Sequence, residues 1–194
     1  MPVYSIMLYR MTFSIILIGY RGTGKTTVAR GLSTRLDVPF FDSDAVIQRQ
    51  ADKTIAEIFA QDGESAFRDL EESVIATILN QTNPTVSKGL ILATGGGAVL
   101  RQTTRHTLRQ SGRVFWLKAL PETILQRISD DAASQTMRPS LTSLPMMDEI
   151  ITLLNQREKL YAETAHEMID TDIYPAEDIV QMIAEKIMSI SNEE

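Results

Sequence analysis

The run LIGYRGTGKTTVARGL, residues 17–32, constrains the fold more than any other stretch of the chain. Gly19, Gly24, Lys25 and Thr26 have the spacing G-x-x-x-x-G-K-[ST], with an apolar run directly before them and a helical pattern directly after. That spacing demands a strand, a tight glycine-rich loop and a helix in succession. In such a loop the backbone N–H groups turn inward, and the helix N-terminus adds positive potential. Lys25 can reach β- and γ-phosphate oxygens, and the Thr26 hydroxyl can ligate Mg²⁺. Gly22, Thr23, Gly24, Lys25, Thr26 and Thr27 are therefore the candidate ATP-binding residues. The bland alternative, a glycine turn with a stray lysine, is poorly served by those flanking elements. A nucleoside triphosphate with Mg²⁺ is the implied ligand.

Short apolar runs alternate with helical patterns along the rest of the chain. Buried strands are expected at Ser14–Ile18, residues 39–41, 90–93 and 113–117, and Glu167–Asp170, which implies five parallel strands. Between them Val28, Leu32 and Leu36, then Phe67, Leu70, Val74 and Ile78, then Ile150, Ile151, Leu154 and Tyr161 recur at helical spacing. Thr54 and Glu57 have capping-box spacing, and Pro121 and Pro175 each suit a first helical turn. The alternation predicts an α/β fold with helices on both faces of the sheet. At 194 residues and 43% hydrophobic content, one domain with a full core is the expectation. The stretch from Ser129 to Pro145 breaks the pattern and reads as a long loop, a lid or a disordered segment, bearing Arg138 beside Pro139.

A phosphate cradle alone does not say where the phosphate goes. A guanine-reading [NT]-K-x-D is absent, and the run LILATGGG ends in glycines where a motor would carry an aspartate, so GTPase and motor readings are both disfavoured. After the second strand, FFDSDAVIQ places Asp42 and Asp44 where ligands of open parallel sheets gather. Two residues apart in extended chain, their carboxylates share a side: one can help hold Mg²⁺ while the other takes a proton from an acceptor hydroxyl. The same pair can instead be helix-opening caps. Arg68 in FRDLEE has Glu71 and Glu72 at helical reach, and either can orient it. Gly95, Gly96 and Gly97 allow close approach of backbone to a ligand, or form a plain turn. Arg157, in LNQREKLY, is by itself an ordinary surface arginine.

In this order, the phosphate loop, D-S-D, F-R-x-x-E, T-G-G-G, R-P and R-x-x-L-Y together resemble the shikimate kinases, from about residue 15 to 187. The resemblance implies a three-layer α/β/α nucleoside monophosphate kinase-like fold, a P-loop kinase with a lid and a five-stranded parallel sheet in the order 2-3-1-4-5. It implies that Asp44 binds the acceptor hydroxyl of shikimate and favours its deprotonation, while Asp42 holds the magnesium shell through water. Arg68 and Arg157 would clamp the shikimate carboxylate, with Glu71 steadying Arg68; planar guanidinium groups suit that task. Gly95, Gly96 and Gly97 would line the acceptor site, with Phe59 and Phe67 along its ring-facing wall or simply in the core. Arg138 would close onto the transferring phosphate and act with Lys25 and Asp44 in catalysis. Arg127 and Pro175 would border the adenine, although Arg127 also suits a helix surface. Ser140 departs from the apolar residue that many relatives carry after R-P, which predicts a modest effect on acceptor affinity.

Charge and composition narrow the partners. A net charge of −6 leaves no diffuse basic surface for nucleic acid, so phosphate recognition has to be local. The absence of cysteine fits a reducing compartment and makes cytoplasm the expected location. No signal peptide or membrane anchor is read in the first 19 residues, because Arg10 interrupts the apolar run and Gly19 opens a loop. Residues 1 to 10 read as a disordered lead or an overcalled start, with Met11 as the alternative initiator. His106 and His166 have no carboxylate spacing for a metal and are expected to be structural. The expected partners are ATP and shikimate, with Mg²⁺ as cofactor, and the expected state is a monomer. A gluconate kinase on the same fold is the nearest rival, and a catalytically silent binding module the rival of another class.

Overall fold

The computed structural model describes residues 14–80, 89–130 and 145–190. Strand β1 (Ser14–Ile18) leads through the glycine loop into helix α1 (Lys25–Leu36), as the motif requires. Then follow β2 (Phe40–Asp42), α2 (Ser43–Ala51), α3 (Ile55–Gln61), α4 (Gly63–Asn80), β3 (Ile91–Ala93) and α5 (Gln102–Ser111). The chain continues through β4 (Gly112–Lys118), α6 (Pro121–Asp130), α7 (Met146–Thr164), β5 (Glu167–Asp170) and α8 (Ala176–Ile190). All strand pairs are parallel, in the order β2-β3-β1-β4-β5. The central strand β1 sets Ile16 opposite Leu92 on one side and Val114 on the other.

The central strands β1 and β3 are buried on both faces, which is why they read as nearly continuous apolar runs. Ile16, Ile18, Leu92, Val114 and Trp116 face a core built with α2, α3, α4, α5 and Tyr161 of α7. Their neighbours Ile15, Leu17, Ile91, Phe115 and Leu117 face a second core built with α1 and α8. A third cluster joins Tyr20 of the glycine loop to Ile124 and Ile128 of α6 and Ile150 and Leu153 of α7. Among the described residues, no helix is long and apolar enough to cross a membrane.

Several expected boundaries shift for identifiable reasons. The second strand begins at Phe40, because Pro39 has no N–H for the ladder, although its carbonyl still accepts from Ile91 N at 2.9 Å. It extends to Asp42, so Asp44 lies in the first turn of α2 and not in extended chain. Ser129 and Asp130, expected in the loop, form the last turn of α6, where Ser129 Oγ donates to Leu125 O. On α7 the buried stripe is Ile150, Leu153, Arg157, Tyr161 and Thr164, while Ile151 is 39% exposed. Leu153, one turn on from Ile150, completes the stripe in place of Ile151. The capping box at Thr54 and Glu57 is formed, and Pro121 opens α6. Pro175 stands one residue ahead of α8, its carbonyl accepting from Ile179 N. The expected lead and Met11, and residues 131–144 with Arg138 and Ser140, lie outside the described residues.

Candidate active site

The glycine loop forms the donor side. Gly24 takes φ 86° at the N-cap of α1, a left-handed conformation that a side chain would strain, and the first turn of α1 carries no acidic residue. The exposed helix N-terminus therefore keeps its positive potential for an anion. Lys25 is buried, and its ammonium donates to the carbonyls of Gly19 at 2.8 Å and Tyr20 at 2.7 Å, inside the loop. Thr23 Oγ1 braces the loop by donating to Tyr20 O at 2.8 Å. Thr26 and Thr27 stand exposed on the first turn of α1, and Thr26 Oγ1 donates to Asp42 Oδ2 at 2.9 Å. Gly22 O accepts from Arg127 Nη1 at 3.4 Å. Arg127 is held further by Thr171, to whose Oγ1 and backbone O it donates at 2.9 Å each, four residues before the exposed Pro175.

Asp42 has two roles at once. Its Oδ1 accepts from the backbone N of Asp44 and Ala45, capping α2, while Oδ2 meets Thr26 across the mouth of the loop. The cap turns the chain so that Asp44, 5% exposed, points into a cavity of about 380 Å³. Asp44 therefore reaches its position from a helix turn, not by strand alternation.

Arg68, Glu71, Gly95, Gly96, Gly97 and Arg157 line the same cavity. Glu71, not Glu72, holds Arg68: Nη1 donates to Glu71 Oε2 at 2.5 Å, while Glu72 pairs with Arg101 at 3.0 Å. Glu64, one turn before, adds a longer contact to Arg68 Nη2 at 3.3 Å. Burial pushes the Glu71 carboxyl above its ordinary pKa; Arg68 opposes that rise and nearby Asp44 adds to it. Phe59 and Phe67 pack at 4.7 Å between ring centroids, and the Arg68 guanidinium stands 6.0 and 5.0 Å from them, so both serve as cavity wall and support.

Gly95 and Gly97 are needed because this cluster leaves no space beside them. A Cβ at Gly95 would come 2.5 Å from Asp44 Oδ1 and 2.9 Å from Glu71 Oε1, and one at Gly97 would collide with both terminal nitrogens of Arg68. Gly96 sits against the phosphate loop, and its carbonyl accepts from Arg157 Nη1 at 3.2 Å and Tyr161 OH at 2.5 Å. Burial raises the Tyr161 phenol above its ordinary pKa, which keeps it a donor.

Some contributors escape a motif reading. Ser43, the middle residue of D-S-D, is fully buried, and its Oγ accepts from Gly95 N at 2.9 Å. Its only sequence signal is a small polar residue between two aspartates. Tyr20 and Arg21, at variable positions of the phosphate loop, also line the cavity, and Arg21 pairs with buried Glu149 at 2.9 Å. Glu149 lies among the buried residues of α7, next to Ile150. His166 has a structural position, its Nδ1 accepting from Val114 N at 3.0 Å.

The shikimate kinase family model matches residues 21–188. A shikimate kinase of Symbiobacterium thermophilum is 39% identical over 174 residues, covering 90% of this chain and 95% of the relative. One from Rhodopirellula baltica is 39% identical over 157 residues, 81% of each chain. Among solved structures, a shikimate kinase from Acinetobacter baumannii in complex with shikimate matches with a TM-score of 0.81 at 38% identity, covering 91% of this chain and 93% of its own. Family model, sequence identity and fold agree: the chain belongs to the shikimate kinase family of ATP-dependent kinases.

Proposed function

We propose that this chain transfers the γ-phosphoryl group of ATP to the 3-hydroxyl of shikimate, giving 3-phosphoshikimate and ADP, a step in aromatic amino acid biosynthesis. The observation that carries this reading is the convergence of Asp44, Arg68, Gly95, Gly96, Gly97 and Arg157 on one cavity whose wall includes Tyr20 and Arg21 of the phosphate loop. A carboxylate for a hydroxyl and two guanidinium groups for a carboxylate, next to a phosphate cradle, suit a small hydroxy acid better than a nucleotide or a neutral sugar.

In this reading Asp44 accepts the proton of the 3-hydroxyl as its oxygen attacks the γ-phosphorus in line, and ADP leaves. Arg68, held by Glu71, and Arg157, held against Gly96, orient the acceptor through its carboxylate. Gly22, Thr23, Gly24 and Thr27 wrap the donor phosphates, and Lys25 stabilises charge on the transferring group. Arg138, on the segment joining α6 and α7, adds to that stabilisation, and Ser140 modulates acceptor affinity from the same segment. Arg127, fixed in place by Thr171, forms one side of the adenine position with Pro175 nearby. The Thr26 hydroxyl and Asp42 carboxylate, 2.9 Å apart at the loop's mouth, are hard oxygen donors of the kind Mg²⁺ takes, Asp42 through water. When bound, Mg²⁺ offsets charge on the β- and γ-phosphates. The reading assigns the protein to the cytoplasm as a monomer.

The test is ADP release by purified protein with ATP and Mg²⁺, in the presence of shikimate, gluconate, a nucleoside monophosphate or no acceptor. Shikimate should give the fastest release by a wide margin. Faster release with gluconate or the nucleotide, or no acceptor exceeding water, would sink the proposal.

A further inference from the structure

The motifs leave Arg21 and Glu149 without a purpose. Position 21 is a variable site of the phosphate loop, and Glu149 belongs to none of the stretches that point to the substrate. Yet Arg21 Nη2 donates to Glu149 Oε1 at 2.9 Å across 128 residues of sequence, with side-chain exposures of 14% and 1%. Stability is a weak reason for such a pair, because desolvating two charges offsets most of their attraction. Helix initiation is a weak reason too: exposed Asp148 already places a carboxylate in the first turn of α7.

What the pair joins is informative. Glu149 lies two turns before Arg157 among the buried residues of α7. Arg21 lies next to Tyr20, whose ring has the guanidinium carbons of Arg21 and Arg157 each 5.9 Å from its centroid. The Tyr20 carbonyl accepts from Lys25 Nζ, and Gly96, against the backbone of Tyr20 and Arg21, accepts from Arg157 and Tyr161. The acceptor helix thus grips the phosphate loop at its first turn through Glu149 and, two turns later, through Arg157 and the glycines.

We propose that Arg21 and Glu149 are a positioning pair, locking the phosphate loop to the first turn of α7 so that the donor cradle and the Arg157-bearing helix move as one body. The proposal rests on the acceptor assignment above for its effect on turnover, but not for its mechanical content. Neither residue touches the transferring group. Their contribution is to fix the distance between two half-sites, and a small misplacement at that point slows transfer without weakening either substrate's binding.

The test uses the double variant Arg21→Met/Glu149→Leu, which removes both charges together and so avoids stranding one of them in the interior. Hydrogen–deuterium exchange of residues 146–157 is followed with and without Mg²⁺ and ADP, alongside steady-state kinetics and a melting curve. In the unaltered protein, ADP in the cradle should slow exchange across these turns by about threefold or more. In the variant that protection should vanish while ADP still binds, and kcat should fall by about tenfold with the shikimate KM within about twofold. If the double variant does not fold, Glu149→Gln carries the same expectation. Protection that persists in the variant, protection absent from the unaltered protein, an unchanged kcat, or a rise in KM alone would each overturn the pair's role. Failure of the unaltered protein to phosphorylate shikimate would refute the acceptor assignment instead, and the exchange data would still decide the pair.

Discussion

The two halves of the site are built in opposite ways. The donor cradle is one contiguous stretch, residues 19–27, made largely of backbone, and its geometry follows from glycine conformations and the start of α1. The cavity proposed for the acceptor is assembled from the phosphate loop, α2, α3, α4, the turn after β3, and α7, elements spread along the sequence. The cradle can be recognised by spacing alone, since one local turn type satisfies it. The cavity depends on buried charges whose positions are set only by packing, and it should respond far more sharply to single substitutions.

The sharpest test of that difference is Asp44→Asn, which keeps size and burial but removes the proton acceptor. We expect kcat to fall by about 10²- to 10⁴-fold with little change in melting temperature, measured by coupled ADP release. A variant retaining full turnover would show that the cavity's carboxylate is incidental. Next in size is Gly97→Ala, whose methyl would displace the Arg68 guanidinium. Losing one charge-assisted contact should raise the shikimate KM by about 10- to 100-fold while leaving ATP binding unchanged. Equal effects on both substrates would blur the division between the halves.

Part of this contrast was legible before the fold was known. The sheet order came with the family resemblance, and β1 came from an apolar run buried on both sides. Asp44 was recognisable as a candidate, but by a mistaken route: extended-chain alternation was expected, whereas Asp42 caps α2 and the helix turn delivers Asp44. Arg157 by itself reads as a surface residue, as most arginines are. Its place on the stripe Ile150, Leu153, Arg157, Tyr161 marks it as buried once Leu153, not Ile151, is taken as the core residue. Ser43 and the Arg21–Glu149 pair were beyond reach, since a hydroxyl meeting Gly95 N across 52 residues and an ion pair across 128 leave no local periodicity.

Two smaller effects sharpen the comparison. Tyr161→Phe removes one of the two donors to Gly96 O and leaves Arg157 in place. A loss of about 1 kcal/mol, or about 2–4 °C in Tm, is expected by differential scanning fluorimetry. A much larger loss would mean that the glycine turn depends on Tyr161 more than on Arg157. Smallest, and remote from both halves, is a pH effect at His166. Burial lowers its pKa below the ordinary 6.5, with Arg109 and Arg113 acting in the same direction, and its Nδ1 must stay unprotonated to accept from Val114 N. Above 6.5 both folded and unfolded chains hold it neutral. As pH falls below that value the unfolded state takes up the proton first, so stability declines until the depressed folded pKa is passed. His166→Asn, which offers an oxygen acceptor but no titration, should flatten this part of the Tm-versus-pH curve; an unchanged slope would assign it to other groups.

The central claim is that the two halves form one phosphoryl-transfer site, and ³¹P NMR of the reaction with ATP, Mg²⁺ and shikimate tests it most directly. The account predicts a new phosphate monoester resonance on the 3-oxygen of shikimate, growing in step with ADP and greatly slowed in Asp44→Asn. Phosphorus appearing only as inorganic phosphate, or on a different hydroxyl, would contradict it.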